Sequence, residues 1–324
     1  MTGAAGLTVV ILTYNSGATI GACLESLAHQ DEKNFEVVIV DDDSADDTLS
    51  VVSGYSSALR LSVARNGSHS IPRGRNIGFA RSPTSLVAFL DSDDRAAHDW
   101  TRVIMDTFRE YPDTASISGD LIPAYRTPTA HAIALNDDAV RQVFGRKAEF
   151  WAGNCAINRA VLVDAYFDED FRFAEDLDLV SRLRGRYCWR HVPEMKIYYY
   201  SRETFRQYAM QMYRYGFMRQ YFAFTSGAYR WLDFVPLALL VGGALASAAL
   251  RSWWPVLVII PFSLLESLFV VCYQRCPPRI AALTFPAWVI KNLSWGYGIG
   301  HGLVAFAVDG DTRRLLRAKR VSRI

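Results

Sequence analysis

The chain opens on an unbroken apolar run, Leu7–Thr13 (LTVVILT), which predicts a strand buried on both faces. Gly17–His29 then spaces Ile20, Leu24 and Leu27 along one side of a helix. Phe35–Val40 is a second buried strand running into Asp41-Asp42-Asp43-Ser44. Ser44 is placed to cap a following helix, with Asp46 and Asp47 in its first turn. Leu59–Ala64 alternates as a third strand, Leu86–Leu90 forms a fourth, and Trp100–Tyr111 reads as the next helix. Strands alternating with helices predict an α/β fold, a Rossmann-like, mostly parallel sheet covered on both faces. Ligands of such sheets bind beyond the carboxyl ends of the strands. Here three of those ends carry polar groups, Thr13-Tyr14-Asn15, Asp41–Ser44 and Asp91–Asp94, and they are expected to converge.

Beyond residue 200 the pattern changes. Aromatic and basic residues interleave through ETFRQYAMQMYRYGFMRQYFAF, which predicts an interfacial amphipathic helix within 201–232. Phe234–Leu250 is a 17-residue uncharged run, and Trp253–Tyr273 follows with 21 residues and one charge, Glu266. Both approach the length of a membrane-spanning helix, and the short break at Arg251-Ser252 predicts a tight helical hairpin with Trp253 and Trp254 at the interface. A third apolar segment, 280–308, holds Lys291, His301 and the glycine-rich WGYGIGHG. It reads as a re-entrant or surface-lying segment as well as a span. The expected organisation is a catalytic domain over 1–200, the interfacial helix over 201–232, a membrane region over 233–308 and a basic tail over 309–324.

Charge sharpens this division. Residues 1–200 carry 28 acidic against 20 basic residues, whereas 201–324 carry 5 against 15. Such asymmetry suggests a nucleic-acid or a membrane partner, and the apolar segments select the membrane. Six Lys or Arg in 309–324 place the tail in the cytoplasm by the positive-inside rule. The run Leu7–Leu12 is too short for a signal peptide, so the N-terminal domain is expected in the cytoplasm as well, with an even number of spans. The five cysteines show neither disulfide-framework nor metal spacing. Glu266 and Lys291 are intramembrane charges expected to pair with each other or, for Lys291, to snorkel.

The candidate chemistry is carboxylate chemistry. VAFLDSDDR stops an apolar run abruptly at Asp91, Asp93 and Asp94, and a hard divalent cation, Mg²⁺ or Mn²⁺, is the simplest charge to place among them. Three successive aspartates at 41–43 exceed what helix capping needs and suit acceptors for a base N–H or ribose hydroxyls. Arg73, Arg75 and Asn76 precede the fourth strand, where arginine near a bound diphosphate is expected. A second acidic cluster, Glu175-Asp176-Leu177-Asp178, opens a helix in which Asp176, Leu179, Val180 and Leu183 share a face.

These segments together resemble the glycosyltransferases of family 2, with the GT-A nucleotide-sugar-binding fold. The resemblance is carried in order over about the first 200 residues by VVILTYNSGATIGACLESL, VVIVDDDSADDT, RGRNIGFA, VAFLDSDD, WAGNCAINRAVL and FDEDFRFAEDLDLVSRLR. It implies that Thr13, Tyr14 and Asp42, with Asp41 as an alternative, hold the nucleotide base and that Arg75 lies near the nucleotide. It makes Asp91 and Asp93 a DxD pair gripping ribose and the metal-bound diphosphate, with Asp93 the foremost metal ligand. Asp176 becomes the general base of an inverting transfer, with Glu175 orienting it or the acceptor. Gln211, Arg214 and Tyr215 resemble the QxxRW motif of membrane polysaccharide synthases, with Tyr for Trp, and are expected on the diphosphate or acceptor side. The sequence departs from the family pattern in lacking a proline before Tyr14-Asn15 and in having Asp43 where glycine is common.

The resemblance thus implies a multi-pass enzyme of the cell membrane with its catalytic domain cytoplasmic. It would transfer a sugar from a nucleotide sugar, a UDP-sugar by preference, to a hydroxyl of a lipid-linked (polyprenyl) saccharide in cell-surface polysaccharide assembly, most like the succinoglycan-type exopolysaccharide transferases. A polyprenyl-phosphate glycosyl synthase, a processive polysaccharide synthase and a non-catalytic membrane scaffold are the alternatives.

Overall fold

Alternation along the first strands sorts the N-terminal core into two layers. In the computed structural model, which describes residues 6–143, 152–162, 166–171, 175–183, 185–226, 231–274 and 276–308, the chain divides into two units. One comprises Met1–Pro123 and Lys147–Tyr199, the other Ala124–Arg146 and Tyr200–Ile324. The tail 309–324, and Phe173-Ala174 ahead of the second acidic cluster, lie outside the described residues.

In chain order the elements begin with β1 (Leu7–Thr13), α1 (Gly17–Ala28), β2 (Phe35–Asp41), α2 (Thr48–Ser53), β3 (Leu61–Arg65), α3 (Ile71–Arg81), β4 (Leu86–Leu90), β5 (Arg95–Ala96), α4 (Trp100–Glu110) and β6 (Thr114–Ala124). Helix α5 (Pro128–Val143) belongs to the second unit; β7 (Asn154–Asn158), α6 (Glu175–Leu183) and β8 (Cys188–Tyr200) then return to the first sheet. The strand order is β3-β2-β1-β4-β7-β6-β8-β5. Strands β1 to β4 pair in parallel as the alternating pattern predicts. The other half differs: β7 runs antiparallel to β4 and β6, and β5 antiparallel to β8. Residues Val9, Ile11, Val37 and Ile39 pack with Leu24 of α1 and Ile104 of α4 on one face. Val10, Val38 and Val40 pack with Leu179 and Leu183 of α6 on the other. Continuous apolar runs therefore feed both layers at once.

Two local expectations change. Helix α2 starts at Thr48, with Asp47 at its N-cap, because Ser44 instead turns back to donate to Asp41. In α6 the fully buried positions are Glu175, Asp178, Leu179 and Leu183, so the inward face is rotated by one residue from the expected set. One turn on, Arg182 donates to the buried Asp178 at 2.8 Å.

The second unit is helical: α5, α7 (Phe205–Ser226), α8 (Val235–Ala249), α9 (Ile259–Gln274) and α10 (Pro278–Val308). Trp231–Ala249 and Pro255–Gln274 are long and apolar enough to cross a membrane. They meet in the expected hairpin, where Arg251 takes φ 50° and the N–H of Ser252 closes on the carbonyl of Ser247. The third apolar segment is a single 31-residue helix containing Pro286, and WGYGIGHG lies inside it as helix. Its glycines are contact surfaces. A side chain at Gly298 would overlap the backbone of Tyr213 in α7, and one at Gly296 would approach the backbone of Pro236 and Leu237 in α8. Reciprocally, Gly216 of α7 lies against the backbone of Trp295. Helix backbones approach this closely only where small residues line both faces. Glu266 accepts from Asn292 Nδ2 at 2.5 Å, while Lys291 Nζ sits 3.8 Å from the Trp288 ring centroid. The two charges also lie close enough to act on each other electrostatically.

Gly298→Leu is expected to lower the thermal midpoint of the detergent-solubilised protein by several degrees, because overpacking costs about 1–3 kcal/mol and here meets rigid backbone. Gly242→Ala, where the added Cβ meets nothing within 4 Å, should leave it unchanged or slightly raised. Equal midpoints for both variants would show that the α7–α10 approach does not depend on the glycine.

Candidate active site

The three polar strand ends of the first unit converge. Thr13 is in register with Asp41, and Asp42 N–H donates to the Thr13 carbonyl at 2.9 Å. The loop after β1 reaches the loop after β4 through Ser16 Oγ and Ser92 Oγ, 3.0 Å apart. Cys23 Sγ of α1 lies 3.6 Å from the Asp91 carbonyl.

On the side of β1 and β2 the groups divide by exposure. Thr13 is buried and its hydroxyl has no hydrogen-bond partner. Tyr14 is 53% exposed. Asp41 is buried and accepts both the hydroxyl (2.6 Å) and the N–H (3.0 Å) of Ser44. Asp42 Oδ1 accepts the N–H groups of Ser68 and His69, each at 3.0 Å. Asp43, in the left-handed region at φ 60°, pairs with Arg65 at the end of β3.

The other side is organised around Arg75 of α3, which is only 7% exposed. Its Nε donates to Glu175 Oε1 at 3.2 Å and its Nη1 to the Ala152 carbonyl at 2.7 Å; Nη2 lies 3.8 Å from Asp91 Oδ1. The guanidinium carbon stands 5.6 and 5.7 Å from the ring centroids of Phe89 and Phe167. Next to it, Asn76 donates to the Phe167 carbonyl at 2.8 Å and accepts from Phe167 N–H at 2.8 Å. Arg75 therefore binds the end of β4, the approach to β7 and the start of α6, and its guanidinium is committed to protein groups.

The carboxylates in this cluster are held back from ionising. Burial pushes Glu175 up to about 7, with repulsion from Asp176 adding to it and Arg75 opposing. Burial likewise raises Asp176 and Asp91, again opposed by Arg75. Glu175 is 5% exposed, whereas Asp176 is half-buried and accepts from Leu177 N–H at 2.8 Å and from the backbone N–H of Ala152. Asp91, Ser92 and Asp93 are half-buried and Asp94 is buried in the turn that its N–H closes on the Asp91 carbonyl. Among the described residues, no group of three or more His, Cys, Asp or Glu is arranged to hold a metal unaided. Asp91 and Asp93 supply two hard oxygen donors.

Of the remaining sequence-derived residues, Gln211, Arg214 and Tyr215 lie on α7 in the second unit. Arg214 and Tyr215 are exposed, and Gln211 Nε2 donates to the Tyr215 hydroxyl at 3.1 Å. His69, in the loop between β3 and α3, takes a left-handed backbone at φ 50° and places its Nδ1 3.6 Å from Asp42 Oδ2.

Comparison with known proteins agrees with this geometry. Residues 8–167, just under half of the chain, match the family model "Glycosyl transferase family 2". The chain is 42% identical over 90 residues to the poly(ribitol-phosphate) β-N-acetylglucosaminyltransferase TarS of Staphylococcus aureus, covering 26% of this chain and 16% of that protein. It is 33% identical over 88 residues to the Escherichia coli UDP-Glc:α-D-GlcNAc-diphosphoundecaprenol β-1,3-glucosyltransferase WfaP, covering 27% and 35%. The chain thus spans about a third or less of the length of these relatives. The mannosyltransferase PcManGT of Pyrobaculum calidifontis, solved with GDP-Man and Mn²⁺, shares the fold at a TM-score of 0.63 and 20% identity, over 92% of this chain and 87% of that one. The class that fold and site define is that of the glycosyltransferases. Within it, residues 8–167 resemble the family 2 enzymes.

A carboxyl raised in the folded state stabilises below its unfolded pKa and loses that contribution as pH rises through its folded value. For Glu175 this window runs from about 4.5 to about 7. Glu175→Gln is therefore expected to flatten the fall in urea midpoint between pH 5 and 7.5 relative to the unsubstituted protein. Parallel pH profiles for the two would contradict the burial assigned to Glu175. Arg75→Ala, which strands the buried Glu175, should cost about 3–5 kcal/mol in the same measurement.

Proposed function

We propose that the protein is an inverting, metal-dependent glycosyltransferase. It moves a sugar from a nucleotide-sugar donor to a hydroxyl of a lipid-linked saccharide at the cytoplasmic face of the cell membrane, in cell-surface polysaccharide assembly of the succinoglycan type. The observation that carries the reading is the division of labour between adjacent carboxylates. Glu175 is buried against Arg75, while its neighbour Asp176 is the less buried of the two and lies in the same electrostatic cluster as Asp91. Only a group that can approach the acceptor is able to take its proton, so Asp176 is the general base and Glu175 positions Arg75.

Asp91 and Asp93 fit a Mg²⁺ or Mn²⁺ site of the kind completed by substrate. They give oxygen donors of the right hardness but no complete protein cage, and such cations commonly take one or two carboxylates plus phosphate oxygens. When bound, the cation supplies positive charge to the departing nucleoside diphosphate. Tyr14 and Asp42 are the base-side groups, and Thr13 and Asp41 support them from beneath. Gln211, Arg214 and Tyr215 are assigned to the diphosphate or acceptor side. The similar proteins support the substrate classes: WfaP uses UDP-glucose and a diphosphoundecaprenol-linked acceptor, and PcManGT binds GDP-mannose with Mn²⁺. The two apolar helices support a multi-pass membrane location.

A phosphate acceptor, already ionised, needs no base, which makes Asp176 the discriminating residue between this reading and a polyprenyl-phosphate synthase. Asp176→Asn is expected to reduce sugar transfer by about a hundred- to ten-thousand-fold while leaving nucleoside diphosphate affinity in Mn²⁺ unchanged. Transfer at the original rate would transfer the case to the phosphate acceptor.

A further inference from the structure

The loops after β2 and β3 are laced together beyond what the sheet requires. Asn66 N–H donates to the Asp41 carbonyl at 2.8 Å, and Asp43 pairs with Arg65. Ser68 and His69 both direct their N–H groups at one oxygen of Asp42. That convergence needs His69 at φ 50°, a conformation that histidine tolerates better than most residues. The same turn brings the imidazole over the site. The His69 ring meets Tyr14 edge to face at 5.0 Å between centroids, and its Nδ1 stands 3.6 Å from Asp42 Oδ2. Two exposed aromatic rings, with the His69 side chain 63% exposed and Tyr14 53% exposed, thus flank a carboxylate oxygen that carries no hydrogen bond from the turn.

Resting on the nucleotide-sugar reading of this site, we propose that His69 is a base-contacting residue and that, with Asp42 Oδ2, it selects uracil over guanine. The argument is one of donors and acceptors. Asp42 Oδ1 is already occupied by two backbone N–H groups, so the carboxylate offers a base one free oxygen. Guanine presents two adjacent donors, N1–H and N2–H, and requires both oxygens of a carboxylate. Uracil presents a single donor, N3–H, flanked by two carbonyl oxygens. Asp42 Oδ2 takes the N3–H, and a ring N–H of His69, close beside it, donates to the neighbouring carbonyl. Leaving the second guanine donor unpaired in the slot carries the penalty of an unmet polar group. The exposed face of Tyr14 is left for stacking on the base.

The test uses the full chain in detergent with Mn²⁺, titrated calorimetrically with UDP and GDP. The unsubstituted protein is expected to bind UDP at least tenfold more tightly than GDP. His69→Asn keeps a residue at home in the left-handed region but removes the ring, and His69→Phe keeps a ring but removes the donor. Both should weaken UDP about tenfold and narrow the UDP-to-GDP ratio, with GDP nearly unchanged. An unchanged UDP affinity in both variants would overturn the role of His69. Tighter binding of GDP than UDP by the unsubstituted protein would overturn the base selection while leaving the nucleotide-sugar reading intact. Binding of neither nucleotide would remove that reading and the proposal with it.

Discussion

A buried arginine surrounded by carboxyl groups is the constraint on which the N-terminal unit depends. Taking Arg75 out of water is costly, and the cost is met by Glu175, the Ala152 carbonyl, Asp91 and two aromatic rings. Asp91, Glu175 and Asp176 are each pushed toward their neutral forms by burial, and the same guanidinium opposes that push in all three. These groups come from the end of β4 and the start of α6, far apart in sequence. One cation therefore holds the loop after β4 against the start of α6.

Asp42 is placed by a different device. The backbone N–H groups of a turn with His69 at φ 50° fix one of its carboxylate oxygens, and the other faces the His69 ring, with Nδ1 at 3.6 Å. Such hydrogen bonds fix the direction of a carboxylate. The two halves of the site thus place carboxylates by opposite means, one by a buried cation and one by backbone dipoles at the surface.

In the second unit the same economy applies to apolar surroundings. Polar side chains within the helices find local partners, as Glu266 does in Asn292 and Ser267 in Thr284 at 2.6 Å. Glycines in α7 and α10 let backbones come together where larger residues would separate them. The glycine-rich stretch that suggested a break in the membrane region is what allows an uninterrupted helix to pack on two neighbours.

Much of the fold was legible in the amino-acid order. Leu7–Thr13, Phe35–Val40 and Leu86–Leu90 announced buried strands because burial on both faces demands unbroken apolar runs, and the polar groups at their ends marked where a site would form. The antiparallel half of the sheet was not legible, since hydrophobic pattern records burial and not strand direction. Nor was the inward turn of α6, which a one-residue rotation decided in favour of Glu175 once Arg75 was there to meet it. His69 escaped notice because a left-handed residue in a loop has no periodic signature. Sequence by itself determined which residues carry the chemistry, for side-chain type fixes what can donate, accept or hold charge. Tertiary structure decided which carboxylate is buried, which stays accessible and which oxygen is already taken, because these depend on neighbours that only folding brings within a few ångströms.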